Sequence, residues 1–248
     1  MIPKTIHYCW FSGDEKPELV KRCIESWQKF LPDYKIKCWD GNSFDFGSVD
    51  YVREAMEVKA YAHASDYVRL YALYTEGGIY LDSDVEVFRS FDELLNNRFF
   101  SGVENFPIYY SKHKISGICN HVQAAIMGSE QGHPFLKDCL EMYHKMHFKK
   151  ADGSLDYMEI PDRISTIMES YGYRRENILQ HLEEGITIYP NTIIANNVEK
   201  KVPEGCYAFH WGVKSWGNDK RGKFYKFCWN NDLMGLYHWI EKTLNHSF

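Results

Sequence analysis

The chain has 248 residues, 44% of them hydrophobic and 16% aromatic, enough to bury a sizeable core and too apolar for a disordered segment. A formal net charge of −5 argues against nucleic acid as the main partner. Seven cysteines (Cys9, Cys23, Cys38, Cys119, Cys139, Cys206 and Cys228) are scattered without a CxxC pair, which argues against a disulfide framework or zinc site and favours a reducing compartment.

The opening MIPKTIHYCW has no basic and apolar leader, so no signal peptide is expected, and no stretch approaches the ~20 apolar residues of a membrane span. A cytoplasmic protein is the expectation. Ile6 to Phe11 reads as a first buried strand ending at Ser12-Gly13. Trp10 and Phe11 fall at its carboxyl end, where ligands of α/β sheets collect, although a packed core role suits Trp10 as well. Pro17 to Leu31 has the apolar spacing of an amphipathic helix, and Tyr34 to Trp39 alternates as a second strand before a turn at Asp40-Gly41-Asn42. Strand, helix and strand in that order predict a right-handed βαβ unit and a parallel sheet. Residues 45–55 read as a loop.

From Tyr61 to Leu73 apolar and aromatic residues recur broadly enough for a largely buried helix, which Gly77-Gly78 stops. Ile79-Tyr80-Leu81 is then a short buried strand carrying Asp82-Ser83-Asp84 at its end. Alternation along an extended segment would point Asp82 and Asp84 the same way, with Glu86 next in register if the strand continues. Two carboxylates so placed repel each other unless a cation lies between them, and hard oxygen donors suit Mg²⁺ or Mn²⁺. Asp66 and Arg69, spaced i,i+3, add an acid and a guanidinium suited to phosphate or sugar oxygens. A solvated turn and a plain helix salt bridge are the blander readings of the same residues.

Farther on, Ser90 to Leu95 reads as a short helix and Phe99 to Glu104 as a strand. Asn105 to Asn120, with Tyr109, Tyr110, Lys112, His113 and Lys114, is a candidate acceptor surface or a plain surface loop. His121 to Gly128 is a buried strand bearing Gln123, and a helix runs from Gly132-His133-Pro134 to about His147. Residues 148–158 form a polar insertion, Ile160 to Tyr171 a helix and Ile186 to Pro190 a late strand. His63, His113 and His144 read as packed histidines. The basic and aromatic residues Lys214, Trp216, Lys220, Arg221, Lys223, Phe224, Tyr225 and Lys226 suit an anionic membrane surface or a solvated rim.

The run Ser65-Asp66-Tyr67-Val68-Arg69, followed by Gly77-Gly78-Ile79-Tyr80-Leu81-Asp82-Ser83-Asp84, resembles the nucleotide-sugar site of DxD-containing retaining glycosyltransferases. That family (glycosyltransferase family 32-like) includes yeast initiating mannosyltransferases, bacterial capsular polysaccharide glycosyltransferases and clostridial glucosylating toxins. IPKTIHYCWFSG is similar to its opening segment, and AFHWGVKSW, from Ala208 to Trp216, to its C-terminal segment. The resemblance implies that Asp84 and Asp82 serve the metal and the donor, with His210 as third metal ligand, and that Asp66 and Arg69 are catalytic, holding the donor sugar and helping with charge at the anomeric centre. It implies that Trp10 stacks on the nucleobase beside Phe11, that Gln123 lies near the β face of the donor sugar, and that Lys214, Ser215 and Trp216 close over the diphosphate between Gly212 and Gly217. Ile160-Pro161 stands where relatives have Gly-Pro, and Asn191 to Asn197 departs from their aromatic, proline-containing continuation.

The expected fold is therefore a single α/β domain over residues 1–248, of the GT-A, Rossmann-like type, with a central mixed, mainly parallel sheet. Residues 1–130 would bind the nucleotide sugar, and 131–248 would form the acceptor side and a C-terminal lid. The expected activity is metal-dependent retaining transfer of a hexose from a nucleotide-diphosphate sugar, uridine favoured, with Mn²⁺ or Mg²⁺. The acceptor would be a glycan or lipid-linked saccharide of bacterial surface polysaccharide synthesis, at the inner face of the cytoplasmic membrane. A non-catalytic carbohydrate-binding module would explain the aromatic content but not the buried acids. An aspartate-nucleophile phosphatase would want Thr or Val where Glu86 stands.

Overall fold

A computed structural model describes residues 1–107, 118–196 and 201–212. β1 (Thr5–Cys9) is buried beyond its first residue, as a strand covered on both faces must be. α1 (Glu18–Phe30) turns Val20, Cys23, Ser26 and Trp27 inward, a helical stripe. β2 (Lys35–Trp39) pairs in parallel with β1, completing the expected βαβ unit.

Residues 45–55 are not the expected loop. A short 3₁₀ turn at Phe46–Ser48 leads into α2 (Asp50–Glu57), which buries Tyr51, Val52 and Ala55. Asp45 starts the turn by accepting from Gly47 N at 2.9 Å. Two helical turns are too short for periodicity to separate from chance, and it is packing on the next helix that stabilises them.

That next helix is α3 (Tyr61–Glu76), buried at every residue from Ala64 to Leu70 and again at Ala72 and Leu73. It ends at Gly77, whose φ of 64° lies in the left-handed region. Gly78 follows at φ 108°, and a Cβ there would stand 2.6 Å from Thr5 O, so the chain enters the sheet against β1 only as glycine. His7 secures the junction. Its Nδ1 accepts from Trp39 Nε1 at 3.0 Å, which leaves the proton on Nε2 to donate to Gly77 O at 2.8 Å.

The later elements are β3 (Gly78–Leu81), β4 (Val85–Val87), β5 (Phe99–Pro107), β6 (Ile118–Ser129), α4 (Pro134–Tyr143), α5 (Ile160–Glu169), β7 (Gln180–His181), β8 (Ile186–Tyr189), β9 (Ile194–Asn196) and β10 (Ala208–His210). Seven strands form the central sheet in the order β2-β1-β3-β6-β5-β8-β7, and β4-β10-β9 form a smaller one. In the central sheet β1, β2, β3, β5 and β8 run one way, and β6 and β7 run against them. The sheet is thus mixed and mainly parallel in direction, as expected, within an α/β architecture. Its main core gathers Tyr51, Val68, Leu73, Phe135, Tyr143 and Ile164 from α2 to α5 against Phe99 and Ile188. Among the described residues no helix is long and apolar enough to cross a membrane.

Candidate active site

The fold brings together, at the carboxyl end of β3, three side chains that could hold a metal ion. The strand stops at Leu81, and Asp82-Ser83-Asp84 is a turn closed by Val85 N to Asp82 O at 2.9 Å. The extended alternation expected here does not hold. The turn keeps both aspartates on the same crevice but sends Glu86 elsewhere, onto β4, where it accepts from Trp211 Nε1 at 3.0 Å and pairs with Arg22 at 3.1 Å. β10 runs antiparallel to β4 with His210 opposite Val85, and Trp211 N donates to Asp84 O at 3.1 Å. His210 Nε2 consequently lies 3.4 Å from Asp84 Oδ1 and 4.0 Å from Asp82 Oδ2.

Ligand atoms of Asp82, Asp84 and His210 all fall within 4.8 Å of one another. Two carboxylate oxygens and one imidazole nitrogen fit Mn²⁺ better than Mg²⁺, which prefers oxygen alone. Burial raises the Asp82 carboxyl above its usual range, against the pull of Arg69 and His210. Burial alone would lower the His210 imidazole, but Asp84 and then Asp82 and Glu104 outweigh it and push it up to about 9.

Behind the triad lies Arg69, buried in α3. Its Nη1 donates to Ala124 O at 3.0 Å and to Asp82 Oδ2 at 3.3 Å, and Nε donates to Ser65 O at 3.2 Å. Nη2 donates to Ser65 Oγ at 3.0 Å and pairs with Asp66 Oδ1 at 3.1 Å. Four hydrogen bonds and the ion pair with Asp66 thus hold it on this chain. The guanidinium also stacks over Tyr80 at 4.8 Å, and Tyr80 Oη donates to Asp82 Oδ1 at 2.9 Å. Arg69 is thus a clamp across Asp66 and Asp82.

A bulge in β6 supplies the other half of that clamp. Ser101 pairs with Met127 and Val103 with Val122, so Gln123–Ile126 stand opposite Gly102 alone. The displaced carbonyl of Ala124 takes Arg69, and that of Ala125 accepts from Asp82 N at 2.9 Å. Ser101 Oγ lies 2.6 Å from Gln123 O and 2.9 Å from Ile126 O, holding the bulge shut. At Gly102 a Cβ would meet Ile194 O at 2.8 Å, so β9 approaches β5 there only over glycine.

The other expected residues divide into those the crevice includes and those it does not. Asp66 is at the crevice, 3.6 Å from His63 Nδ1, and the His63 ring packs against Phe148 and Tyr157 at 5.1 and 5.5 Å. Gln123 is fully buried, its Nε2 3.4 Å from Ala195 O. Trp10 is buried, donating from Nε1 to Asp14 O at 2.9 Å with Lys16 Nζ 5.2 Å from the ring, and Phe11 packs edge-on against Phe46 at 5.0 Å. Lys214, Ser215 and Trp216 lie outside the described residues, as do Tyr109, Tyr110, Lys112, His113 and Lys114. Sequence reasoning missed Tyr80, Ser101 and Glu104. The Glu104 carboxyl is pushed up to about 7 by burial, against the opposing charge of His210.

Fold and site together define an α/β protein whose ligand crevice, at the carboxyl ends of its central strands, is lined by acids backed by a buried arginine. The chain belongs to the family described as capsular polysaccharide synthesis protein, whose model matches residues 1–201. It is 34% identical over 142 residues to inositol phosphoceramide mannosyltransferase 3 of Schizosaccharomyces pombe, covering 54% of this chain and 35% of that protein. It is 27% identical over 160 residues to the uncharacterized glycosyltransferase L373 of Acanthamoeba polyphaga mimivirus, covering 62% of this chain and 59% of that one. The chain therefore spans between a third and three fifths of the length of these relatives. Among solved structures the PaToxG glycosyltransferase is similar at a TM-score of 0.46 and 15% identity, over 68% of this chain and 69% of that one.

Proposed function

We propose that the protein is a GT-A-type, metal-dependent retaining glycosyltransferase that moves a hexose from a nucleotide-diphosphate sugar to a saccharide or lipid-linked saccharide. The observation that carries this reading is the convergence of Asp82, Asp84 and His210 within 4.8 Å at the end of a central strand. Asp82, Asp84 and His210 would hold Mn²⁺, or Mg²⁺, which when bound supplies positive charge to the leaving diphosphate. Arg69 fixes the rotamers of Asp66 and Asp82, so the carboxylates meet the ligand preorganised. Four hydrogen bonds within the chain and the ion pair with Asp66 hold it in place, so its part is orientation and positive field. Trp10 and Phe11 would border the nucleobase, and Asp66 the transferred sugar. The names of the relatives make mannose the sugar to test first, beside the uridine-linked hexoses expected from sequence. The family description makes a surface polysaccharide the first acceptor class. Peripheral contact with an anionic membrane through residues 214–226 belongs to the same reading, and failure to co-sediment with anionic liposomes at low salt would remove it.

The test is a thermal-shift and calorimetric screen of UDP, GDP and their hexoses with Mn²⁺, Mg²⁺ or EDTA. One nucleotide at 100 times its dissociation constant should add about 2.7 kcal/mol of stability, only with metal and not in Asp84→Ala. If no nucleotide stabilises the wild-type protein with either metal, the transferase reading is wrong.

A further inference from the structure

Glu104 belongs to no motif, yet it is the acid most in need of a ligand. It lies on β5 with 7% of its surface exposed. Among the described residues it has neither a hydrogen-bond nor an ion-pair partner. The charges that act on it are those of the crevice, His210 first, then Glu159, Asp82 and Arg69. Gly102, two residues earlier on the same face of β5, has Ile194 of β9 over it, so Glu104 faces the small sheet that carries His210.

Amide oxygens around it are fully buried and unpaired. The Oε1 of Gln123 and the Oδ1 atoms of Asn105 and Asn196 are buried and accept no hydrogen bond. Asn196 stands opposite His210 in the β9–β10 register and reaches Asn105 O through Nδ2 at 3.4 Å. Asn196, paired with His210, and Gln123, whose Nε2 reaches Ala195 O at 3.4 Å, adjoin the small sheet, whereas Asn105 alternates to the opposite face of β5 from Glu104. The amide nitrogens of Gln123 and Asn196 are directed at Ala195 O and Asn105 O, which leaves their oxygens without donors. A buried acceptor without a donor is costly, so the missing donors are expected from a ligand. A metal does not answer this need, because the adjoining triad would already provide its ligands and the unpaired oxygens of Gln123 and Asn196 are neutral amides. Hydroxyl groups do, and a pyranose carries several on adjacent carbons.

We propose that Glu104, with the amide oxygen of Gln123 beside it, receives hydroxyl hydrogen bonds from a pyranose ring bound next to Asp82, Asp84 and His210. The inference rests on the transferase reading, and the ring is either that of the donor or that of the acceptor. Glu104 is then a specificity-determining residue, because a sugar that lacks the matching hydroxyl leaves a buried carboxylate unpaired.

Calorimetry with Mn²⁺ separates the cases. The probes are UDP, GDP, UDP-glucose and GDP-mannose, together with methyl α-D-mannopyranoside added to protein already loaded with nucleoside diphosphate. The proteins are wild type, Glu104→Ala and Glu104→Gln. Both variants should bind the nucleoside diphosphate as wild type does, which also shows that they fold. If Glu104 receives the donor ring, the nucleotide sugar binds tenfold or more weakly to Glu104→Ala. If it receives the acceptor ring, the same loss falls on the methyl mannoside. Glu104→Gln, which keeps the shape but exchanges one acceptor for a donor, is also weakened. Sugar-dependent affinities within twofold of wild type in both variants, with diphosphate binding intact, overturn the inference and leave the transferase reading standing. Absence of nucleotide binding in the wild type overturns that reading itself.

Discussion

Replacing Arg69 by methionine tests whether this residue is a built-in clamp. The substitution keeps much of the side-chain volume and removes the guanidinium that joins α3, the Asp82 turn and the β6 bulge. It strands the carboxylates of Asp66 and Asp82, and it deprives Ala124 O of its donor. Breaking a buried ion pair from one side costs about 3 to 5 kcal/mol, because a buried charge is left uncompensated. With a urea dependence of about 3 kcal/mol per molar for a chain of this size, the unfolding midpoint of the ligand-free protein should fall by about 1 M or more. Arg69→Lys should recover only part of this, since three donors on a flexible stem cannot replace four hydrogen bonds and the Asp66 ion pair. The double variant Arg69→Met/Asp82→Asn should be less unstable than the sum of the single changes. The assay is equilibrium urea unfolding followed by tryptophan fluorescence, without nucleotide or metal. A midpoint in Arg69→Met within 0.2 M of wild type (about 0.6 kcal/mol at that slope) would refute the clamp and return Arg69 to direct ligand binding.

Two further predictions concern the junction between α3 and β3. Burial holds His7 below its usual value of 6.5, so the unfolded chain takes up the proton first and stability is lost as pH falls below about 6.5. The slope attributable to this group is at most about 1.4 kcal/mol per pH unit, and unfolding of His7→Gln measured from pH 7.5 to 5 should lack that component. Gly78→Ala places a Cβ 2.6 Å from Thr5 O at a φ of 108°. It should cost roughly 1 to 3 kcal/mol, visible as a lower calorimetric Tm, and an unchanged Tm would contradict the tight entry into β3.

How much of this was legible in the sequence depends on the range of the forces involved. The α3 helix, its glycine stop and the acids after β3 could be read directly, because helical periodicity, left-handed caps and short apolar runs are local signals. Asp66 and Arg69 could be placed together for the same reason, one helical turn apart. The β6 bulge could not be read, since nothing in Gln123–Ile126 says that one residue of β5 will stand opposite four. Glu86 was misplaced because alternation was carried past the point where the chain leaves one sheet for another. Glu104 was invisible because its burial comes from the packing of β9 over Gly102, residues far apart in the chain. α2 was missed because two turns of helix are decided by what they pack on.

The Asp82–Asp84 turn is also where the chain passes from the seven-stranded sheet to the three-stranded one, and His210 belongs to the second while Asp82 adjoins the first. The site therefore straddles a seam and reports on the alignment of the two sheets. A substitution on the far side of β9 that tilts β10 by a fraction of an ångström changes the span between the imidazole and the carboxylates without touching either. Conversely, anything that draws those three groups together stitches the seam, so the small sheet is a pivot whose stiffness depends on what the crevice holds.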